Sequence, residues 1–109
     1  MKPYNEKAAL RAILMICRRV ALKPVQFRLH DGHDWVHAEP IFNGEQIVRD
    51  ANSTGTDTLA VYNPITGNQL GRFVLVWGNA QDGEELISDY YINDFTDTVW
   101  DRFQALYGN

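Results

Sequence analysis

The stretch VQFRLHDGHDWVHA, residues 25–38, constrains the fold more than any other, because apolar and polar positions alternate on both sides of an Asp-Gly pair. Successive side chains of a strand point to opposite faces, and Asp-Gly is what a two-residue type I′ turn prefers, since both residues tolerate positive φ. A reversal at Asp31-Gly32 sets a register in which His30 opposes His33, Leu29 opposes Asp34, Arg28 opposes Trp35, Phe27 opposes Val36 and Gln26 opposes His37. Val25, Phe27, Leu29, Val36 and Ala38 then share the core face. Gln26, Arg28, His30, His33, Trp35 and His37 share the other.

Around this hairpin the remaining elements read in order. Asn5 caps a first helix that runs to about Leu22 and stops at Lys23-Pro24. Its apolar arc is Leu10, Ile13, Ile16, Cys17 and Val20, with Lys7, Arg11, Met15, Arg18 and Arg19 opposite. From Asn43 to about Asn52 the positions of Ile47, Val48 and Ala51 suit a short helix better than a strand, although Asn43-Gly44 equally opens a turn. Residues 57–92 read as a three-stranded meander, DTLAVY, QLGRFVLVW and ELISDYYI, joined by the turn-rich NPITGN and GNAQDG. Asp94 with Asp97 starts a last helix that ends at Tyr107-Gly108, with Phe95, Val99, Trp100, Phe103, Leu106 and Tyr107 on its apolar arc. The expectation is an α+β fold: a sheet of about five antiparallel strands, hairpin plus meander, with N- and C-terminal helices and a short middle helix packed mainly on one face. At 109 residues the chain has room for one core, so residues 1–109 are read as a single domain.

The net charge of −4 conceals an asymmetry: residues 1–25 carry six Lys and Arg against Glu6, whereas residues 77–109 carry seven acids against Arg102. No broad basic face is available, which disfavours general nucleic-acid binding; one basic helix, through Arg11, Arg18 and Arg19, is the remaining route to phosphate. The apolar run in the first helix is interrupted by charge and too short to span a bilayer, and one cysteine forms no internal disulfide, so a cytoplasmic protein without membrane contact is expected. Asn52-Ser53-Thr54 matches a glycosylation acceptor by chance.

All three histidines fall within HDGHDWVH, residues 30–37, and raise the question of a metal. In the hairpin register His30 and His33 converge, but His37 lies four residues beyond His33, roughly 14 Å along the strand, too far to share an ion with them. No metal site is therefore assigned, and metal or small-molecule binding through His30, His33 and His37 stands as the alternative. Catalysis finds no pairing either. Ser88 and Asp89, like His33 and Asp34, are strand neighbours that point apart, and neither dinucleotide nor phosphate-loop glycines occur. An enzyme is not expected, nor a cofactor.

What remains is surface. Three helices cover one sheet face, so Trp35 and one alternating set of the meander face outward, either Phe73, Leu75 and Trp77 or Val74 and Val76, with Tyr62 or Tyr91 nearby. A second surface is the acidic tract of Asp82, Glu84 and Glu85 with the Asp94, Asp97 and Asp101 ridge. The function expected is non-catalytic protein binding, as a homodimer, an adaptor or an inhibitor of the small acidic kind that mobile elements carry. Arg28, Trp35, His37, Trp77, Asp94, Asp97 and Asp101 are the binding residues in this reading, with Arg28 stacked on Trp35.

Overall fold

The computed structural model describes residues 6–51, 55–77 and 86–107. The Asn5 cap, the acceptor at Asn52, the acids at 82, 84 and 85 and the Gly108 stop lie outside the described residues. Along the chain come α1 (Glu6–Ala21), β1 (Gln26–His30), α2 (Gly44–Asp50), β2 (Thr56–Tyr62), β3 (Gln69–Val76), β4 (Ile87–Tyr90) and α3 (Asp94–Tyr107). The fold is α+β, with four strands in the order β1-β2-β3-β4, each neighbour antiparallel. Among the described residues no helix is long and apolar enough to cross a membrane.

Alternation decides which sheet face meets the helices. Phe27 and Leu29 of β1, Leu59 and Val61 of β2, Phe73 and Leu75 of β3 and Ile87 of β4 are buried in one cluster with Leu10, Ile13, Leu14 and Cys17 of α1, Ile47 and Val48 of α2, and Val99 and Phe103 of α3. Each of these large side chains leaves water on folding for roughly 1.5–3 kcal/mol. Burial pushes the Cys17 thiol far above its usual range, so it stays protonated and packs as an apolar group.

The expected fifth strand is corrected at the hairpin. The Asp31 carboxylate accepts from the backbone N–H groups of His33 (2.8 Å) and Asp34 (2.9 Å), and Asp31 N donates to Asp34 O at 3.0 Å. This local satisfaction outcompetes the two-residue turn and opens a four-residue loop, 31–34, so that His30 bridges Trp35 instead of His33. Val36 N still reaches Leu29 O, but the chain then leaves the edge and returns at Ile41, which exchanges both backbone bonds with Phe27 (2.7 and 2.9 Å). Pro40 has no N–H for a ladder, and the carbonyls freed at His37 and Ala38 accept from the Arg28 guanidinium at 2.9 and 2.8 Å. Val36 and Ala38, expected in the core, are exposed.

Residues 44–50 are helical because Asn43 caps them, its Oδ1 accepting from Gln46 N at 3.1 Å. α3 begins at Asp94 as expected, and its cap is Asn93: Thr96 N donates to Asn93 Oδ1 (2.9 Å) and Asn93 N to Thr96 Oγ1 (3.0 Å), a reciprocal pair. Leu106, placed on the apolar arc of α3, is exposed.

The end of α1 carries a local conflict. Leu22 adopts φ 59° and is 90% exposed, occupying the left-handed position after a helix that glycine fills at no steric cost. Leu22→Gly is expected to raise stability by about 0.5–1 kcal/mol in denaturant unfolding, because relief of the backbone outweighs the added freedom of the unfolded chain. A loss of stability would place Leu22 in a packing role that its exposure denies.

Candidate functional site

The sheet face away from the helices is built by register. Arg28 of β1 pairs with Ala60 of β2, which pairs with Arg72 of β3. Tyr91 continues this row, its N–H donating to Arg72 O at 3.0 Å, and the ring is exposed. The next row is His30, Thr58, Val74 and Asp89.

Over these rows lies Trp35, delivered by the return of the 31–40 loop. The Arg28 guanidinium carbon stands 4.3 Å from the Trp35 ring centroid, and the Arg72 carbon 5.9 Å from it. His30 meets the same ring edge-on at 5.1 Å and 88°. Ala60, on a face no helix covers, is nevertheless fully buried; it sits in the row between the two arginines, beneath this cluster. The expected Arg28–Trp35 stack is therefore present, although by a different register. Its second cation, Arg72, was missed by sequence reasoning. The signal was there: Arg72 interrupts the apolar run of β3 at a position that alternates with Val74 and Val76.

Both guanidiniums keep their charge uncompensated. Arg28 is spent on two carbonyls, Arg72 Nη2 donates to Gln69 Oε1 at 3.1 Å, and Arg72 Nε is buried without an acceptor. Among the described residues no carboxylate pairs with either. His30 Nδ1 accepts from Gly32 N at 3.1 Å, so the neutral ring carries its proton on Nε2.

The other expected binding residues are placed elsewhere. His37 turns toward α2, its Nε2 2.8 Å from Asp50 Oδ2, and its side chain is only 12% exposed. Trp77 belongs with Phe73 and Leu75 in the core, 5% exposed, with its indole N–H on Asp57 Oδ2 at 2.8 Å. Of the two sets in β3 it is Val74 and Val76 that face away from the helices. Asp94 and Asp101 are exposed, whereas Asp97 is half-buried and accepts from the Tyr90 hydroxyl at 3.1 Å. Burial first, then the bond to Asp97, raises the Tyr90 phenol above its ordinary range.

The three histidines diverge: His30 lies beneath the indole edge, His33 at the exposed loop tip and His37 against α2. Among the described residues no group of three or more His, Cys, Asp or Glu side chains is placed to hold an ion. In the His37–Asp50 pair the remaining ring nitrogen, Nδ1, is buried without a hydrogen-bond partner.

That pair anchors the loop that carries Trp35. The bond from Gln46, at 2.6 Å, and then the bond from His37 hold the Asp50 carboxyl below its ordinary range. A carboxyl lowered on folding contributes its full stabilisation above the unfolded pKa, near 4, and loses it as pH falls through the lower folded value. Asp50→Asn is expected to flatten that part of the acid limb in denaturant titrations at stepped pH. Asp31, lowered by the Asp34 and His33 N–H groups, keeps its own share. A variant profile identical to the parent's would show that the anchor does not form.

Set against known families, curated proteins and solved structures, the chain matches none of them.

Proposed function

We propose that this chain is a non-catalytic protein-binding domain of the cytoplasm, and that the open sheet face takes an acidic segment of a partner, as in an adaptor or inhibitor. One observation carries the reading: two guanidiniums share one indole on the face that the helices leave uncovered, and among the described residues neither is ion-paired to a carboxylate. A partner carboxylate gains charge-assisted hydrogen bonds there, while Trp35 and Tyr91 supply apolar contact. Trp and Arg are the side chains that dominate interface energetics, and these are positioned by strands, by Arg28's bonds to the loop and by the His37–Asp50 anchor.

The test is selection of random displayed peptides on the folded protein. Enriched peptides are expected to be rich in Asp and Glu, and Trp35→Ala or Arg72→Glu is expected to weaken them by about 30-fold, the effect of a residue contributing roughly 2 kcal/mol. Asp94→Ala should leave them unchanged. Peptides without acidic bias, or ones that bind Arg72→Glu equally well, would overturn the reading. So would tight binding of a single-stranded oligonucleotide through the same side chains, which transfers the face to nucleic acid.

A further inference from the structure

On the opposite side of the molecule, the helix layer gathers most of the positive charge of the chain. Arg11, Met15 and Arg18, three and four residues apart, stand in one exposed line along α1, and Leu22 is exposed just past its end. Phe42 is exposed beside this line, held by its carbonyl, which accepts from Arg18 Nη2 at 3.0 Å. Three shallow clefts flank it, lined by Lys7, Arg11, Arg18, Arg19, Lys23 and Arg49, six of the ten Lys and Arg in the chain. Glu45 is the single acid among the residues that line them, and Arg11 engages it at 2.9 Å. Lys7 and Arg18 bond carbonyls, which leave their charge in place.

A chain of net charge −4 with so basic a side is electrically polar, and it turns that side toward any anionic surface. Two features select among such surfaces. Met15, Leu22 and Phe42 are interleaved with the cations, whereas protein interfaces set an apolar centre inside a polar rim. At a bilayer surface the mixture is favourable, because Arg and Lys lay their carbon stems alongside apolar groups and keep their charged ends among the headgroups. The clefts are also shallow, and α1, about 24 Å long at 16 residues, presents its line of side chains to a plane. Nucleic-acid phosphates would satisfy the cations and leave the three apolar side chains without contact. The expectation of no membrane contact rested on the lack of a spanning helix, and a helix that lies on a bilayer does not span it.

We infer that the outer face of α1, with Phe42, docks on an anionic membrane surface. α1 lies in the plane of the headgroups, its neighbouring cations meet lipid phosphates and carboxylates, and Met15, Leu22 and Phe42 enter the boundary with the acyl chains. Leu22, whose backbone glycine would relieve, gains there the apolar contact that the fold denies it. This surface is separate from the Trp35 face, which is left free for a protein partner, so either assignment can fail without the other.

Flotation with vesicles of phosphatidylcholine containing about one-third phosphatidylserine, and with phosphatidylcholine alone, tests it. The expected result is binding to the first kind only, weakening as salt rises. Arg19→Gln with Lys23→Gln is expected to weaken binding about 25-fold, at about fivefold for each cation near the surface. Leu22→Gly, which steadies the fold, and Phe42→Ser should each weaken it about tenfold. Trp35→Ala should leave it unchanged. A Phe42→Trp protein should be quenched by brominated acyl chains more strongly than its parent. No flotation with the anionic vesicles, binding indifferent to both Leu22→Gly and Phe42→Ser, or no added quenching would each overturn the inference. Binding to a DNA duplex tighter than to the vesicles, and unmoved by Leu22→Gly, would overturn it in favour of nucleic acid.

Discussion

Gly71→Ala is expected to cost about 3 kcal/mol of folding stability, at the upper end of what overpacking a core by one methyl costs. A Cβ on Gly71 would stand 2.6 Å from Thr96 Cγ2, closer than such atoms approach, and 3.0 Å from Phe95 Cδ2, tighter than nearly all such contacts. Neither neighbour has an easy way out. Thr96 is fully buried, and its hydroxyl donates to Tyr91 O at 2.7 Å while accepting from Asn93 N. Turning the methyl away would break the cap of α3. Relief therefore requires α3 to lift off β3, exposing the apolar surface around Val99 and Phe103. Chemical denaturation reads the loss directly. Thr96→Ser, which deletes the methyl and keeps the hydroxyl, should return part of it when added to Gly71→Ala, a coupling expected only for groups in contact. A Gly71→Ala protein as stable as its parent would mean that α3 is not seated at this glycine.

Trp77→Phe is expected to cost about 2–3 kcal/mol, because it removes a donor from a carboxylate that has left water. Asp57 is 1% exposed and accepts the Trp77 indole N–H at 2.8 Å. Phenylalanine fills most of the ring's space but offers no hydrogen bond, so the loss reports the polar contact more than the packing. The Lys7 ammonium, 5.5 Å from the same indole and bonded to the carbonyls of Val48 (2.7 Å) and Ala51 (3.1 Å), ties this corner to the end of α2. The same variant should leave acidic-peptide binding intact, which separates Trp77 from Trp35. Equal stability with weakened binding would restore Trp77 to the surface role first read for it.

Much of the architecture was legible because periodicity reports burial. The alternation of β1 through Phe27 and Leu29, and the helical spacing of Leu10, Ile13 and Cys17, placed those residues in the core where they lie. What was not legible turned on polar groups choosing among partners. Asp31 prefers its own loop's N–H groups to the tight turn that Asp-Gly favours, and Arg28 prefers two carbonyls to a cross-strand neighbour. Neither choice leaves a trace in hydropathy. Trp77 misled for a related reason: an aromatic at a strand end reads as surface until a distant Asp57 is known to receive its N–H. The candidate site was half visible, Arg28 and Trp35 from their spacing in one segment, while Arg72 arrives from a strand whose register is set by the Asn63–Asn68 turn.

The irregular run from Val36 to Ile41 has one more effect. It lies along the outer edge of β1, bonded at Leu29 and Phe27 and broken between them by Pro40, while β4 at the other margin is four residues long and slips register against Val74 and Leu75. Among the described residues neither margin offers the long flat row of free amides on which foreign strands template and fibrils grow. Crowding this protein should therefore not seed amyloid, and whatever joins it must recognise side chains and not borrow its backbone.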